Sequence, residues 1–165
     1  MRRLISVFIL FVCLSILCGC DSRSYGIIPF EDKNAEAECT VNGKFNIIIK
    51  KEDSHLALSV LSPEELCGME FVFSDTDCYV TSQSVRIPIS KEDFMGVYAI
   101  ASLLTLQEDM LCSAVSKDGY GKVELLTELG TYSLIYDSRG DLIKAEIYSE
   151  NYEYSIDITG LNIQK

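Results

Sequence analysis

The sequence predicts an α+β domain: a strongly curved antiparallel sheet of about ten strands, an incomplete barrel, with one main helix packed in its concave face. Three observations carry this. Between residues 35 and 158 apolar residues recur with a period of two, in short runs. The turns between runs are too short for a crossover, so neighbouring strands run antiparallel. One segment, from Ser90 to Leu106, changes to a helical period and is apolar on nearly every side. A helix of that kind has to be buried on more than one side. A flat sheet covers one stripe of a helix, whereas a curved sheet wraps it.

The first strand alternates Ala35, Ala37, Cys39 and Val41 with Glu36, Glu38 and Thr40, and Asn42-Gly43 then supplies a strong hairpin signal. Phe45, Ile47 and Ile49 make the second strand; after a turn at Glu52-Asp53-Ser54, Leu56, Leu58 and Val60 make the third. Ser62-Pro63-Glu64-Glu65 reads as one capped helical turn, with Ser62 as cap, Pro63 at the first position, Glu65 reaching back and Gly68 ending it. Three short strands follow, at Phe71 and Phe73, at Tyr79-Val80, and at Val85, Ile87 and Ile89, the last demoted by Pro88 to an edge or a bulge. The helix starts at a capping-box-like Ser90-Lys91-Glu92-Asp93. Phe94, Val97, Tyr98, Ala101 and Leu104 line one face, and a run on to about Cys112 is expected. Four strands complete the sheet: Val123 to Leu129, Tyr132 to Tyr136 after Gly130, Ile143 to Ile147 after Asp137-Ser138-Arg139-Gly140, and Tyr152 to Ile158.

The chain has 165 residues, 14 Lys+Arg against 25 Asp+Glu, one His, seven Cys and a net charge of −11. A basic surface for nucleic acid is missing, so no nucleic-acid partner is expected. Met1-Arg2-Arg3 is a short positive start, and residues 4–17 are almost wholly apolar. At ~1.5 Å per residue such a run reaches about 21 Å, short of a ~30 Å hydrocarbon core, which fits a signal peptide better than a spanning helix. Leu17-Cys18-Gly19-Cys20 resembles the bacterial lipobox, with Cys18 standing where Ala, Ser or Thr is more usual. The resemblance implies cleavage between Gly19 and Cys20 and lipid attachment, including palmitate, at the Cys20 thiol. Cys13 and Cys18 follow bulky residues and do not suit that position. Residues 1–19 are thus expected to be a signal peptide, 20–34 a lipidated Cys and tether, and 35–165 a single domain. The tether carries turn formers and mixed charge, with Ile27, Ile28 and Phe30 either free in it or docked on the domain. Expected localisation is the cell membrane, lipid-anchored and facing the extracytoplasmic side.

The lipobox, the Asn42-Gly43 hairpin, Ser62-Pro63-Glu64-x-Leu66-x-Gly68 leading into Met69-Glu70-Phe71, the late helix and the closing run from Gly130-Thr131-Tyr132 to Ile158 together resemble the LolA/LolB-like lipoproteins. The likeness covers about residues 35–160 and includes small envelope lipoproteins of clostridial type. It implies a half-barrel whose concavity takes acyl chains or other apolar ligands. Fold alone does not set function.

No catalytic residues, metal ligands or cofactor are expected. His55 is the single imidazole, at a turn, and leaves no Ser-His or Cys-His constellation. Glu64-Glu65, Glu92-Asp93 and Glu108-Asp109 read as helix-start charge and solvated surface. Cys67 and Cys78 flank one strand and are the disulfide candidates, while Cys39 lies on an inward period as a buried thiol. Arg139-Gly140-Asp141 reads as a hairpin turn. Tyr132, Tyr136, Tyr152 and Tyr154 read as core and cross-strand pairs. The first functional reading is a non-catalytic envelope protein-interaction module, using its sheet edges for an envelope partner or a homodimer. The alternative is an apolar-ligand or lipid carrier with a concavity lined by Phe45, Ile47, Phe94, Tyr98 and Leu134.

Overall fold

The computed structural model describes residues 28, 30, 33–117 and 119–164. The segment expected to be a signal peptide, Gly19, Cys20, Ile27 and most of the expected tether lie outside these. The described chain runs β1 (Ala35–Val41), β2 (Phe45–Glu52), β3 (His55–Ser62), β4 (Glu70–Phe73), β5 (Cys78–Ser82), β6 (Val85–Pro88), α1 (Met95–Ala101), β7 (Leu111–Lys117), β8 (Tyr120–Thr127), β9 (Gly130–Tyr136), β10 (Leu142–Tyr148) and β11 (Glu153–Ile163).

All eleven strands form one antiparallel sheet in the order β6-β5-β4-β3-β2-β1-β11-β10-β9-β8-β7, and it does not close. Two meanders are joined at the centre by β1 and β11, the first and last strands, with Val41 opposite Ile156 and Ala35 opposite Ile163. The two edges, β6 and β7, therefore come from mid-chain, on either side of the helical segment. The connection between them passes through the bowl. This is why the segment is greasy: Ala99, Ile100, Ala101, Ser102, Leu103 and Leu104 are six consecutive buried residues. Phe94 packs on Phe71 (ring centroids 5.6 Å) and Tyr98 on Phe73 (5.1 Å).

The period-two runs are the inner face, as the alternation requires. Ala35, Ala37, Cys39 and Val41 are all buried, as are Ile47, Ile49, Leu56, Leu58 and Val60. Asn42 and Gly43 both take positive φ (51° and 64°), the geometry that Asn-Gly favours, and Asn42 Oδ1 accepts from the Ser155 amide at 2.8 Å. Strand β6 is an edge ending at Pro88, as its proline dictates. Ile28 and Phe30 also join the core, Phe30 fully buried with its carbonyl accepting from Lys51 Nζ, so packing begins ahead of residue 35.

Four local readings are corrected. The helix starts at Met95, not Ser90. Ser90 Oγ accepts from the Asp93 amide (3.1 Å) and donates to Asp93 Oδ2 (2.8 Å), so the motif caps a separate turn before the helix. After Ala101 the helix tightens into a 3-10 turn, Ser102–Thr105, and stops at an extended Leu106 instead of reaching Cys112. Gln107-Glu108-Asp109 offers no apolar face to bury. An eleventh strand, β7, occupies Leu111–Lys117 and pairs with β8, Gly119 between them taking φ +83°. Finally, Glu64–Leu66 is a 3-10 turn without a side-chain cap. Ser62 ends β3, and its Oγ accepts instead from the Asn46 amide at 3.2 Å.

Gly96, in the first turn of α1, sits against the Tyr154 hydroxyl, and a Cβ there would overlap it. The Tyr154 ring is stacked on Tyr152 (5.5 Å), which restricts its escape. Gly96→Ala should therefore cost about 1–2 kcal/mol, overpacking outweighing the helix-propensity gain. In a Tyr154→Phe background the same change should cost much less. Urea unfolding of the four proteins in the double-mutant cycle measures the coupling, and a Gly96→Ala protein as stable as the parent would show that the ring yields freely.

Candidate functional site

The bowl is longer than its helix. Beyond Leu106 the inner face loses its cover, and a cleft of about 620 Å³ opens between the helical segment and the β8–β9 turn. Tyr98, Ser102, Thr105 and Leu106 form one wall. Tyr98 comes from α1, Ser102 and Thr105 from the 3-10 turn, and Leu106 from the extended residue after it. Leu126, Thr127, Glu128 and Leu129 form the opposite lip, with Tyr132 and Met110 completing the lining. The volume is within the range of small-molecule sites, and most of the lining is apolar or aromatic.

The lip is tied down. Thr127 Oγ1 donates to the Gly130 carbonyl (3.0 Å) and accepts from the Leu129 amide (3.1 Å). Tyr152 donates its hydroxyl to the Leu129 carbonyl at 2.6 Å. Gly130, at φ +133°, lies so close to the Tyr148 carbonyl that any side chain there would clash. Tyr132 fixes the opposite wall by donating to the Ala99 carbonyl at 2.8 Å. Two buried side-chain hydroxyls, Ser102 Oγ and Tyr136 Oη, have no hydrogen-bond partner among the described residues.

The cleft carries no cation in its lining, and Glu128 stands exposed on the lip. Burial pushes the Tyr132 phenol upward and the Tyr136 phenol up to about 12, so both remain protonated across the ordinary range. Burial, helped by the neighbouring Glu38, pushes the Cys39 thiol up to about 12, which makes it a packing residue and not a nucleophile. Among the described residues no group of three His, Cys, Asp or Glu side chains is placed to hold a metal ion, and no helix is long and apolar enough to cross a membrane. His55 is exposed at the start of β3. Cys67 and Cys78 are free thiols in this structure, Cys67 exposed and Cys78 half-buried with its Sγ 3.7 Å from the Ser74 carbonyl. Arg139-Gly140-Asp141 is a turn, with Gly140 at φ +89° and Arg139 paired to Asp137 (3.1 Å) and Asp141 (3.2 Å).

Of Phe45, Ile47, Phe94, Tyr98 and Leu134, the cleft takes Tyr98 alone. Ile47 and Leu134 are core, Phe94 packs on Phe71, and Phe45 stands half-open at the start of β2. The helix itself consumes the inner face of the central strands, so the free space lies to one side. Sequence signals for the true lining exist. Ser102 and Thr105 interrupt an otherwise apolar stretch, and Leu126 breaks the alternation of its strand.

No family model matches the chain, and no curated protein matches it in sequence. Among solved structures it is similar to an uncharacterized conserved protein from Thermus thermophilus, with 10% identity over 82% of each chain and a TM-score of 0.46. A putative outer membrane lipoprotein-sorting protein domain from Vibrio parahaemolyticus is also similar, at 10% identity over 82% of this chain and 88% of that one (TM-score 0.44). So is a LolA superfamily protein from Nitrosomonas europaea, at 12% identity over 81% and 85% (TM-score 0.41). These likenesses are of fold alone and say nothing of a ligand.

Tyr132 and Tyr136 allow a direct comparison on one strand. Tyr132→Phe removes a made hydrogen bond and should lower stability by about 1 kcal/mol, whereas Tyr136→Phe removes an unpaired buried hydroxyl and should be neutral or stabilising. Denaturation midpoints check the pair, and equal effects would contradict the geometry.

Proposed function

We propose that the chain is a non-catalytic, extracytoplasmic lipoprotein, anchored through lipidated Cys20, that holds an apolar ligand in the cleft beside α1. One observation carries the ligand reading: a space of about 620 Å³, walled mainly by Tyr98, Leu106, Met110, Leu126, Leu129 and Tyr132, lies in the curved sheet next to the helix. That space reverses the order of the two readings the sequence supports, since a bowl wholly plugged by its own side chains would have favoured the interaction module. The rim is held by hydrogen bonds, so the cleft is preformed and binding needs little reordering.

A second observation keeps the interaction module as a secondary reading. Strand β7 is a seven-residue edge without proline, exposed along most of its length, with Leu111 and Val115 open to solvent. An envelope partner or a second copy can add a strand there.

N-phenylnaphthylamine, which brightens in apolar surroundings, tests the cleft. It should bind the parent, and Leu126→Glu should weaken it about tenfold or more, since a carboxylate then enters an apolar site. Leu126 is largely exposed, so the variant should fold. Ile87→Glu, at the far edge, should leave binding unchanged. Absent dye binding, or equal binding by the two variants, would end the cleft reading. The anchor is tested separately: Cys20→Ala should abolish labelling by palmitate and release the protein from membranes, whereas a labelled variant would refute the attachment site.

A further inference from the structure

We propose that the cleft selects an apolar molecule whose polar group is uncharged, such as a hydroxyl, ester or amide, and rejects carboxylates. This deepens, and rests on, the cleft reading above. Ser102 is the one polar residue in the buried run Ala99–Leu104. It lines the cleft, is 5% exposed, and its hydroxyl has no partner among the described residues. Leaving such a group unpaired is costly, and a ligand group that bonds it offsets the cost.

Three other hydroxyls nearby already donate. Tyr132 donates to the Ala99 carbonyl, Thr127 to the Gly130 carbonyl, and Thr105 to the Ser102 carbonyl at 2.8 Å. Among the described residues, Ser102 is thus the buried hydroxyl left without a partner on that wall, beside the unbonded hydroxyl of Tyr98. A hydroxyl donates or accepts, so it suits an alcohol, ester or amide equally.

Charge supplies the selection. No Lys, Arg or His lines the cleft, and the Glu128 carboxylate stands on its lip. Lys91 lies 5.0 Å from the Tyr98 ring centroid and lines a neighbouring cavity of about 210 Å³, which shares Tyr98 and Thr105 with the cleft but puts the ammonium on the far side of that shared wall. An anion entering the main cleft would lose its hydration without gaining a cation, an exchange far more costly than burying a neutral group. The chain's net charge of −11 opposes its approach as well.

The test is displacement of N-phenylnaphthylamine from the full chain by dodecanol and by dodecanoate at neutral pH, two ligands with the same alkyl length. Dodecanol should compete at least about tenfold more tightly. Ser102→Ala should weaken dodecanol about fivefold, and Glu128→Gln should narrow the gap by improving dodecanoate. Circular dichroism confirms that both variants fold. Equal or tighter competition by dodecanoate, or a Ser102→Ala protein that binds dodecanol like the parent, overturns the proposal. If the dye itself fails to bind, the cleft reading falls first. If it binds and both competitors displace it alike, the cleft stands and head-group selection alone is lost.

Discussion

The pairing of β1 with β11 is the constraint from which the rest of the domain follows. It joins residues more than a hundred positions apart, as in the contact between Asn42 and Ser155. Once the two ends of the domain meet at the centre of the sheet, its edges fall in mid-chain. The segment between β6 and β7 must then cross from one rim to the other. The sheet's curvature leaves the concave face as the route, and a backbone crossing there must satisfy its own hydrogen bonds. A helix does so. Where the sheet surrounds it, its side chains must be apolar on nearly every side, and the buried run Ala99–Leu104, apolar except for Ser102, meets that requirement.

The cleft follows from a mismatch of lengths. Eleven strands make a broad bowl, but the helical crossing is short and ends at Leu106. The strands beyond it have no cover. Ala114 pairs with Val123 and Ser116 with Gly121, which places both on the inner face, yet both are exposed. Close packing is therefore complete in the middle of the sheet and incomplete towards β7. Hydrogen bonds from Thr127 and Tyr152 hold the lip of the uncovered region, which keeps the space from collapsing. The sequence restricts the occupant further by placing Ser102 within the run that must be buried.

How much of this was legible in the sequence depended on how local each feature is. Alternation, Asn-Gly in a short hairpin turn and Pro88 on an edge strand act over a few residues, and all three appear as expected. The strand β7 was hidden for a physical reason: an exposed edge needs no buried face, so Leu-Cys-Ser-Ala-Val-Ser-Lys shows little alternation of apolar and polar residues. The start of the helix was misplaced because Ser90 closes a turn with Asp93 while the helix begins four residues after Lys91. The lining of the cleft was least legible. A cleft is what remains after long-range packing is complete, and Ile47 and Leu134 have inward positions in their strands whether the helix or a ligand covers them. Leu129, read as the end of a strand, lies in the β8–β9 turn, and that shift carries it to the lip.

Electrostatics distinguishes the surface from the site. On the sheet surface cations are matched by neighbouring acids: Lys50 with Glu36 at 2.7 Å, Lys122 with Glu124 at 3.0 Å, and Lys144 with Glu146 at 2.8 Å. Such exposed pairs add little stability, but they do hold basic side chains against acids on the sheet. With 25 acids to 14 bases, most of the unmatched charge is negative. Selectivity for an uncharged apolar molecule therefore needs no dedicated anion-repelling device. It follows from an acidic body, a cleft whose lining carries no base, and one hydroxyl placed where the helix would otherwise be wholly apolar.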